Sequence, residues 1–206
     1  MVGQWANSEA IAGWEQRYRA SLINSISGYK PANLIGTSDE CSGENLAIMS
    51  SVVHLGSAPP LIGLVIRPDS VDRHTLRNIR RTGCYTINHV THDFYAAAHQ
   101  TAARYPDAVS EFDAVGLKSE RLADFDAPFV AESPIKFGLK LCEEIPITLN
   151  GTHFIIGEVV HLYINEGLVN AFGDLDLQAG GVVALSGLDR YYITELIEQL
   201  PYAKPK

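Results

Sequence analysis

Three groups that could bind an anion lie close together in the first half of the chain. Ser50 and Ser51 offer hydroxyls between two apolar runs, and Arg67 follows the second of these runs. A few residues later, Asp72 to Thr75 offer oxygens that could cap the start of a helix. A helix start presents unpaired N–H groups and the positive end of the helix dipole, and arginine is a bidentate partner for phosphate. This spacing predicts a site for a phosphate-bearing ligand that lies across strand ends.

The same residues also allow a simpler interpretation. The oxygens of Asp72 to Thr75 could cap an ordinary connecting helix, and Arg67 could be a surface arginine with no ligand. Both interpretations stay open on the spacing alone.

The elements that must position these groups are strands around one short helix. Leu61 to Ile66 is long enough for a buried strand and too short for a helix, and Pro59-Pro60 closes a turn before it. The helix begins between Asp72 and Thr75 and ends before Gly83, and a strand from Cys84 to Asn88 follows.

The rest of the chain predicts more strands than helices. We expect helices over 8–21 and 91–104, a helical turn from Ser110, strands over 32–37, 135–142, 152–164 (bent at Gly157) and 168–172, and a loose tail at 201–206. Many short strands with few helices predict a mainly β fold, a closed or nearly closed antiparallel barrel with peripheral helices. We expect a single domain over residues 1–206, with the N-terminal helix within 1–27.

Composition limits the environment and the partners of the protein. The net charge of −8 argues against nucleic acid and anionic membrane surfaces. Three cysteines without a C-x-x-C pair support neither a disulfide framework nor a zinc site, and no apolar run approaches the length of a membrane span. With no apolar leader at the N-terminus, we expect a soluble protein of the reducing cytoplasm.

Other catalytic patterns are absent from the sequence. The seven histidines show no spacing that demands a metal, and we expect none. The sequence contains no G-x-S-x-G motif, which is typical of serine hydrolases. It also contains no G-x-G-x-x-G motif after a strand, so a Rossmann nicotinamide site is not predicted. Cys84 lies within an apolar strand and is expected to be a buried, inert thiol.

Four segments resemble the flavin reductase-like family of the FMN-binding split-barrel superfamily. They are SGYKPANLIGTSD (27–39), NLAIMSSVVHLGSAPPLIG (45–63), HTLRNIRRTGCYTIN (74–88) and GTHFIIGEVVHLYI (151–164). The resemblance covers most of the chain and depends on the order and spacing of these segments. It implies an FMN-binding split β-barrel, antiparallel and Greek-key-like, in which residues 91–116 form a helical insertion over the flavin edge. The sequence departs from the family at His74, where many relatives have Asp before the threonine.

The resemblance also implies a set of cofactor-binding residues. The phosphate would lie on Arg67, the helix start at Thr75 and a hydroxyl of Ser50 or Ser51, and the flavin ring against the backbone from Met49 to Val52. Asn45 and Asn88 are further contacts, although Asn45 could be a turn amide and Asn88 a strand terminator. The roles of His54 and His74, which flank this stretch, stay open.

As a member of this family, the protein would be an FMN oxidoreductase, a flavin reductase that takes a hydride from NADH or NADPH as a transient co-substrate. It would pass electrons to free flavin or another downstream acceptor, with no essential general acid or base, and would form a C2 homodimer whose two subunits build each flavin site. The alternatives are a flavoredoxin-like electron carrier with no nicotinamide site and, more distantly, a split barrel that binds haem or nothing.

Overall fold

A computed structural model describes residues 3, 5–39, 43–122 and 124–205. The expected turn after the first long strand includes residues 40–42 and lies partly outside the described residues. The strands, in chain order, are β1 (Lys30–Pro31), β2 (Asn33–Asp39), β3 (Gly43–Met49), β4 (Val52–Ser57), β5 (Pro60–Ile66), β6 (Cys84–His89), β7 (Ser119–Glu120), β8 (Phe129–Val130), β9 (Ile135–Ile147), β10 (Thr152–Ile164), β11 (Val183–Ser186) and β12 (Arg190–Ile193).

Seven of these strands form one large antiparallel sheet in the order β3-β2-β6-β9-β10-β5-β4. The two edge strands, β3 and β4, are consecutive in the chain and are joined by Ser50 and Ser51 alone. Three Cα–Cα steps of about 3.8 Å span at most about 11 Å, so the opposite edges of the sheet must come close together. The sheet therefore curls toward a barrel, and no ladder joins β3 to β4 within the described residues. The prediction of a mainly β, antiparallel split barrel is confirmed.

Apolar side chains fill the inside of the curled sheet. Tyr85, with 0% exposure, lies among them opposite β10. A Cβ at Gly157 would come within 2.4 Å of the Tyr85 hydroxyl oxygen, so only glycine fits there, and the pairing register of β10 with β9 shifts between Ile156 and Gly157. The residue skipped at this shift is Cys142 of β9, so the expected bend of β10 at Gly157 stays a prediction. The fully buried core residues of this cluster are Ile35, Leu64, Ile79, Tyr85, Ile87, Leu139 and Ile155.

The helices are α1 (Ser8–Gly13), α2 (Gln16–Ser25), α3 (His74–Thr82), α4 (Tyr95–Gln100) and α5 (Glu111–Val115). Helix α3 packs against β2 and β3 and ends at Gly83, whose φ of 69° is the left-handed conformation expected of a helix stop. Helices α4 and α5 lie within residues 91–116 and pack on the opposite face of β2 and β3 through a second apolar cluster, together with the small sheet β1-β11-β12. The largest sheet is thus covered by α4 and α5 on one face, whereas α3 packs with the apolar core on the other.

Three predicted elements differ from the structure. The expected N-terminal helix over 8–21 is two helices, because Trp14 is extended and Glu15 caps the second helix by accepting the Tyr18 N–H. The expected helix over 91–104 is shorter and spans only α4. Residues 168–172 form no strand and contribute one isolated bridge, at Val169. Within the described residues, no helix is long and apolar enough to cross a membrane.

Candidate functional site

A cavity of about 740 Å³ opens beside β3, where the two edges of the sheet approach each other. Its walls come from β3, the end of β5, the start of α3, the segment from α4 to α5, and the β11–β12 hairpin. Six of the eight residues predicted to bind a cofactor line it, namely Asn45, Met49, Ser50, Ser51, Arg67 and Thr75. The fold therefore brings these residues, which lie on separate segments of the sequence, together around one cavity.

Strand β3 is an edge strand, and two buried side chains close part of its free edge. Oε2 of Glu111 accepts the Leu46 N–H at 2.9 Å, and Oγ1 of Thr101 accepts the Ile48 N–H at 2.9 Å. Glu111 is 6% exposed and Thr101 is 4% exposed, and both line the cavity. Side chains from the α4–α5 segment thus accept the backbone N–H groups of this edge strand that a neighbouring strand would otherwise bond.

The start of α3 faces the same cavity without a side-chain cap. Its N-cap residue is Arg73, whose Nε donates to the Pro68 carbonyl instead, so the prediction that an oxygen from Asp72 to Thr75 caps the helix is wrong. The hydroxyl of Thr75 accepts the Asn45 side-chain amide at 3.1 Å and keeps its own proton to donate. The first-turn N–H groups and the positive helix end are therefore available to an anion.

Three arginines, Arg67, Arg73 and Arg104, add positive charge to the cavity. Arg67 and Arg104 both line it, and within the described part of the chain neither forms an ion pair or a side-chain hydrogen bond. A guanidinium without a partner beside an uncapped helix start is a suitable arrangement for a phosphate, because it offers several N–H donors in one plane.

An ion-pair cluster ties the start of α3 to the segment that follows α4. Arg77 bonds Asp72 at 2.5 Å and Asp107 at 2.7 Å, and His74 Nε2 lies 3.0 Å from Asp107. The hydrogen bond from Arg77 lowers the pKa of the Asp107 carboxyl. Ligand atoms of Asp72, His74 and Asp107 are close enough together to hold a metal ion, but both carboxylates already form ion pairs with Arg77. His74 thus takes part in fixing the cavity wall, whereas His54 is exposed on β4 and does not line the cavity.

Two predicted site residues do not line the cavity. Asn88 is 0% exposed, and its amide is used within the fold: Nδ2 donates to the Leu34 carbonyl and the Thr86 hydroxyl, and Oδ1 accepts the Val130 N–H. Its assignment as a cofactor contact is therefore corrected to a structural role, since the side chain is buried, bonded within the fold and outside the cavity lining. Val52 packs on the barrel core just beyond the cavity.

The far wall of the cavity comes from residues that the sequence analysis missed. His99 on α4 lies there, with its Nδ1 3.0 Å from the Tyr191 hydroxyl, and burial raises the pKa of Tyr191 to about 12. Other residues of this wall are Asn24, Lys30, Leu185, Leu188 and Asp189. No local sequence signal marks them, because distant segments meet here only in the folded chain.

Comparisons with known proteins agree on one family. The family model described as flavin reductase like domain matches residues 28–182. A candidate flavin reductase with a split barrel domain from Shewanella frigidimarina NCIMB 400 is 52% identical; the superposition covers 98% of this chain and 100% of that one, with a TM-score of 0.94. The flavoredoxin of Desulfovibrio vulgaris (Miyazaki F) is 25% identical, with 85% and 91% covered and a TM-score of 0.72. Nitrilotriacetate monooxygenase component B from Bacillus cereus shares the fold at 20% identity, with 97% and 100% covered and a TM-score of 0.85.

Proposed function

The chain belongs to the flavin reductase-like family, and from that premise we propose that it is an FMN-binding oxidoreductase that takes a hydride from NADH or NADPH. It passes the electrons on to free flavin or another downstream acceptor. The observation that carries this proposal is the uncapped start of α3 beside Arg67, which has no partner among the described residues, in a cavity that runs along the free edge of β3.

The residues of the cavity fit a flavin mononucleotide. Arg67 and the N–H groups at the start of α3 would hold the phosphate, and Asn45 keeps the Thr75 hydroxyl in place for the same purpose. The N–H groups of Ser50 and Ser51 and the Ser50 carbonyl would pair with the pyrimidine edge of the ring, beside the apolar side chain of Met49, whereas the Ser51 carbonyl accepts the Val65 N–H. A single phosphate matches a single helix start, which favours FMN over FAD.

The bound flavin supplies the redox chemistry, and the chain supplies binding, orientation and a shielded site. Hydride transfer between stacked partners needs alignment and no proton relay, so we propose no essential general acid or base. His99, Lys30 and the other residues of the far wall surround the space in which a second substrate would lie.

We propose that the protein is a homodimer in which the partner copy completes the flavin site. Val53, Leu55 and Ile145 are about 40% exposed on the outer face of β4 and β9, next to Phe154. Val65, the cross-strand partner of Phe154, lines the cavity. The apolar surface therefore borders the cavity, which supports an interface that covers both.

We also propose a cytoplasmic location. Cys84 and Cys142 are free thiols, as is usual in a reducing compartment.

The second candidate function is a flavoredoxin-like electron carrier that holds FMN and has no nicotinamide site. The 25% identity to the D. vulgaris flavoredoxin over 85% of this chain favours it. Steady-state oxidation of NADH and NADPH by the purified protein with added FMN separates the two. The reductase turns over at least one of the nucleotides well above the rate of FMN alone, whereas a carrier leaves both nucleotides at the background rate.

A further inference from the structure

We propose that Glu111 contacts the ligand and accepts a hydrogen bond from a ribityl hydroxyl of the bound flavin. This inference rests on the proposed function, because it assumes that the cavity takes a flavin. Glu111 lies at the start of α5, in the segment that covers the edge of β3.

The free edge of β3 presents acceptors to the cavity. In an antiparallel strand, the N–H and C=O groups of one residue point to the same side. The N–H groups of Leu46 and Ile48 point away from β2 and are taken by Glu111 and Thr101, so the carbonyls of Leu46 and Ile48 point the same way. With its donors used, this edge favours a ligand that brings donors of its own.

The Glu111 carboxylate adds a charged acceptor to this wall. Only the Leu46 N–H donates to it within the described part of the chain, through Oε2, and the residue lines the cavity while remaining 94% buried. An ionised carboxylate accepts hydrogen bonds and donates none. Its remaining lone pairs therefore select a hydroxyl or an N–H and disfavour an anion.

The position of Glu111 along β3 selects the ribityl chain. Asn45, next to Leu46, is bonded to Thr75 at the helix start, which is the phosphate end of the cavity. Ser50 lies five residues further along, or roughly 17 Å at the rise of an extended strand. A flavin that places its phosphate at one end and its ring at the other brings its ribityl hydroxyls past the wall between them.

The test compares two neutral flavins, riboflavin and lumiflavin, which differ in that lumiflavin has a methyl group in place of the ribityl chain. Glu111→Gln is nearly isosteric: its single oxygen can keep the Leu46 N–H, which leaves an amide NH₂ toward the cavity. We expect the riboflavin Kd, measured by fluorescence titration, to rise about fivefold to tenfold through loss of a charge-assisted bond. The lumiflavin Kd should stay within about twofold of its wild-type value.

Thr101→Val serves as the matched control. The Thr101 hydroxyl lines the cavity but already donates its proton to the Ala98 carbonyl and accepts the Ile48 N–H, and it carries no charge, so Thr101→Val removes an edge contact like that of Glu111 without removing a charged acceptor. Any effect of Thr101→Val should be equal for the two flavins. The proposal is overturned if Glu111→Gln also changes both Kd values by the same factor, or leaves the riboflavin Kd unchanged.

Wild-type binding distinguishes the failure of this inference from the failure of the proposed function. If the wild type binds FMN but shows no preference for riboflavin over lumiflavin, the Glu111 contact is wrong and the flavin site stands. If the wild type binds none of the three, the flavin site itself is wrong and the inference falls with it.

Discussion

Arg67 is the residue on which the proposed phosphate site depends most. It lines the cavity beside the start of α3 and has no ion-pair partner within the described residues. Asn45 and Thr75 are buried, bonded to each other and uncharged, whereas Arg67 adds a full charge.

We therefore expect Arg67→Ala to weaken FMN binding by about 2 kcal/mol, or roughly thirtyfold in Kd, the usual loss of a charge-assisted contact. Riboflavin lacks the phosphate, and its Kd should not change. Arg17→Ala, an exposed arginine on α2 outside the cavity, is the control and should leave both values unaltered. Equal losses for FMN and riboflavin in Arg67→Ala would place the phosphate elsewhere.

His89 gives the stability of the protein a pH dependence. Its Nδ1 is buried without a partner in the described part of the chain, and burial lowers the pKa of its imidazole from 6.5 to about 4. Between these values the unfolded chain binds a proton that the folded chain does not, so stability falls as pH decreases from about 6.5 to about 4. The shift corresponds to a loss of up to about 3 kcal/mol, complete below the folded pKa.

The expected signature is a difference between the wild type and His89→Leu in urea unfolding at a series of pH values. The wild type should lose stability through this window more steeply than the variant. Glu144, whose pKa is lowered by its hydrogen bond to Arg80, contributes stability that disappears at lower pH in both proteins and cancels in the comparison. Parallel curves for the two proteins would show that His89 is not buried in its neutral form.

The residues predictable from sequence are those whose chemistry is local. Ser50, Ser51, Arg67 and Thr75 flank short elements with clear ends, so their convergence could be inferred before the fold was known. Glu111 could not, because a glutamate at a helix start ordinarily faces solvent, and only the long-range contact with Leu46 shows its role. Asn88 was predicted to contact the ligand because it is a polar residue at the end of a strand. Its actual partners, Leu34 and Val130, are distant in sequence, so the sequence did not reveal its structural role.

At the scale of elements, strands were predicted better than helices. Strand β10 has the predicted bounds, Thr152–Ile164, because alternating side chains and one interrupting glycine mark it clearly. The helices near the N-terminus and in the 91–116 segment are short, and their ends depend on side-chain caps and packing that a periodic pattern does not encode.

The close packing of β2 predicts a specific intolerance. A Cβ at Gly36 would lie 2.2 Å from the Pro128 carbonyl oxygen and 2.5 Å from Oγ1 of Thr86, so the backbone would have to move. We expect Gly36→Ala to lower the free energy of unfolding by about 2–3 kcal/mol. Gly56→Ala in β4, where the nearest atom would be 3.4 Å away, is the matched control and should cause no loss. Urea denaturation measures both, and equal stability of the two variants would contradict this packing.

At the scale of the whole molecule, the cavity lies where the curled sheet fails to close. The seam between β3 and β4 exposes backbone groups, and the surrounding helices and the β11–β12 hairpin turn this opening into a pocket. The expectation that residues 1–206 form a single domain stays a prediction, for which one cooperative unfolding transition is the test.

The proposed interface predicts the oligomeric state. Light scattering should give twice the 22.5 kDa mass of the chain. Leu55→Glu, which places a charge in the apolar surface bordering the cavity, should shift the protein toward monomer and weaken FMN binding together. A wild-type monomer that binds FMN fully would contradict the shared site.

The central claim, a flavin site that accepts a hydride from a nicotinamide, is tested most directly by the absorbance spectrum of the FMN-loaded protein before and after NADH or NADPH is added without oxygen. We expect a yellow protein that is bleached by at least one of the two nucleotides. A yellow protein that is bleached only by dithionite would contradict the reductase and leave the electron carrier, and a protein that takes up no FMN would contradict the site at Arg67 and Thr75.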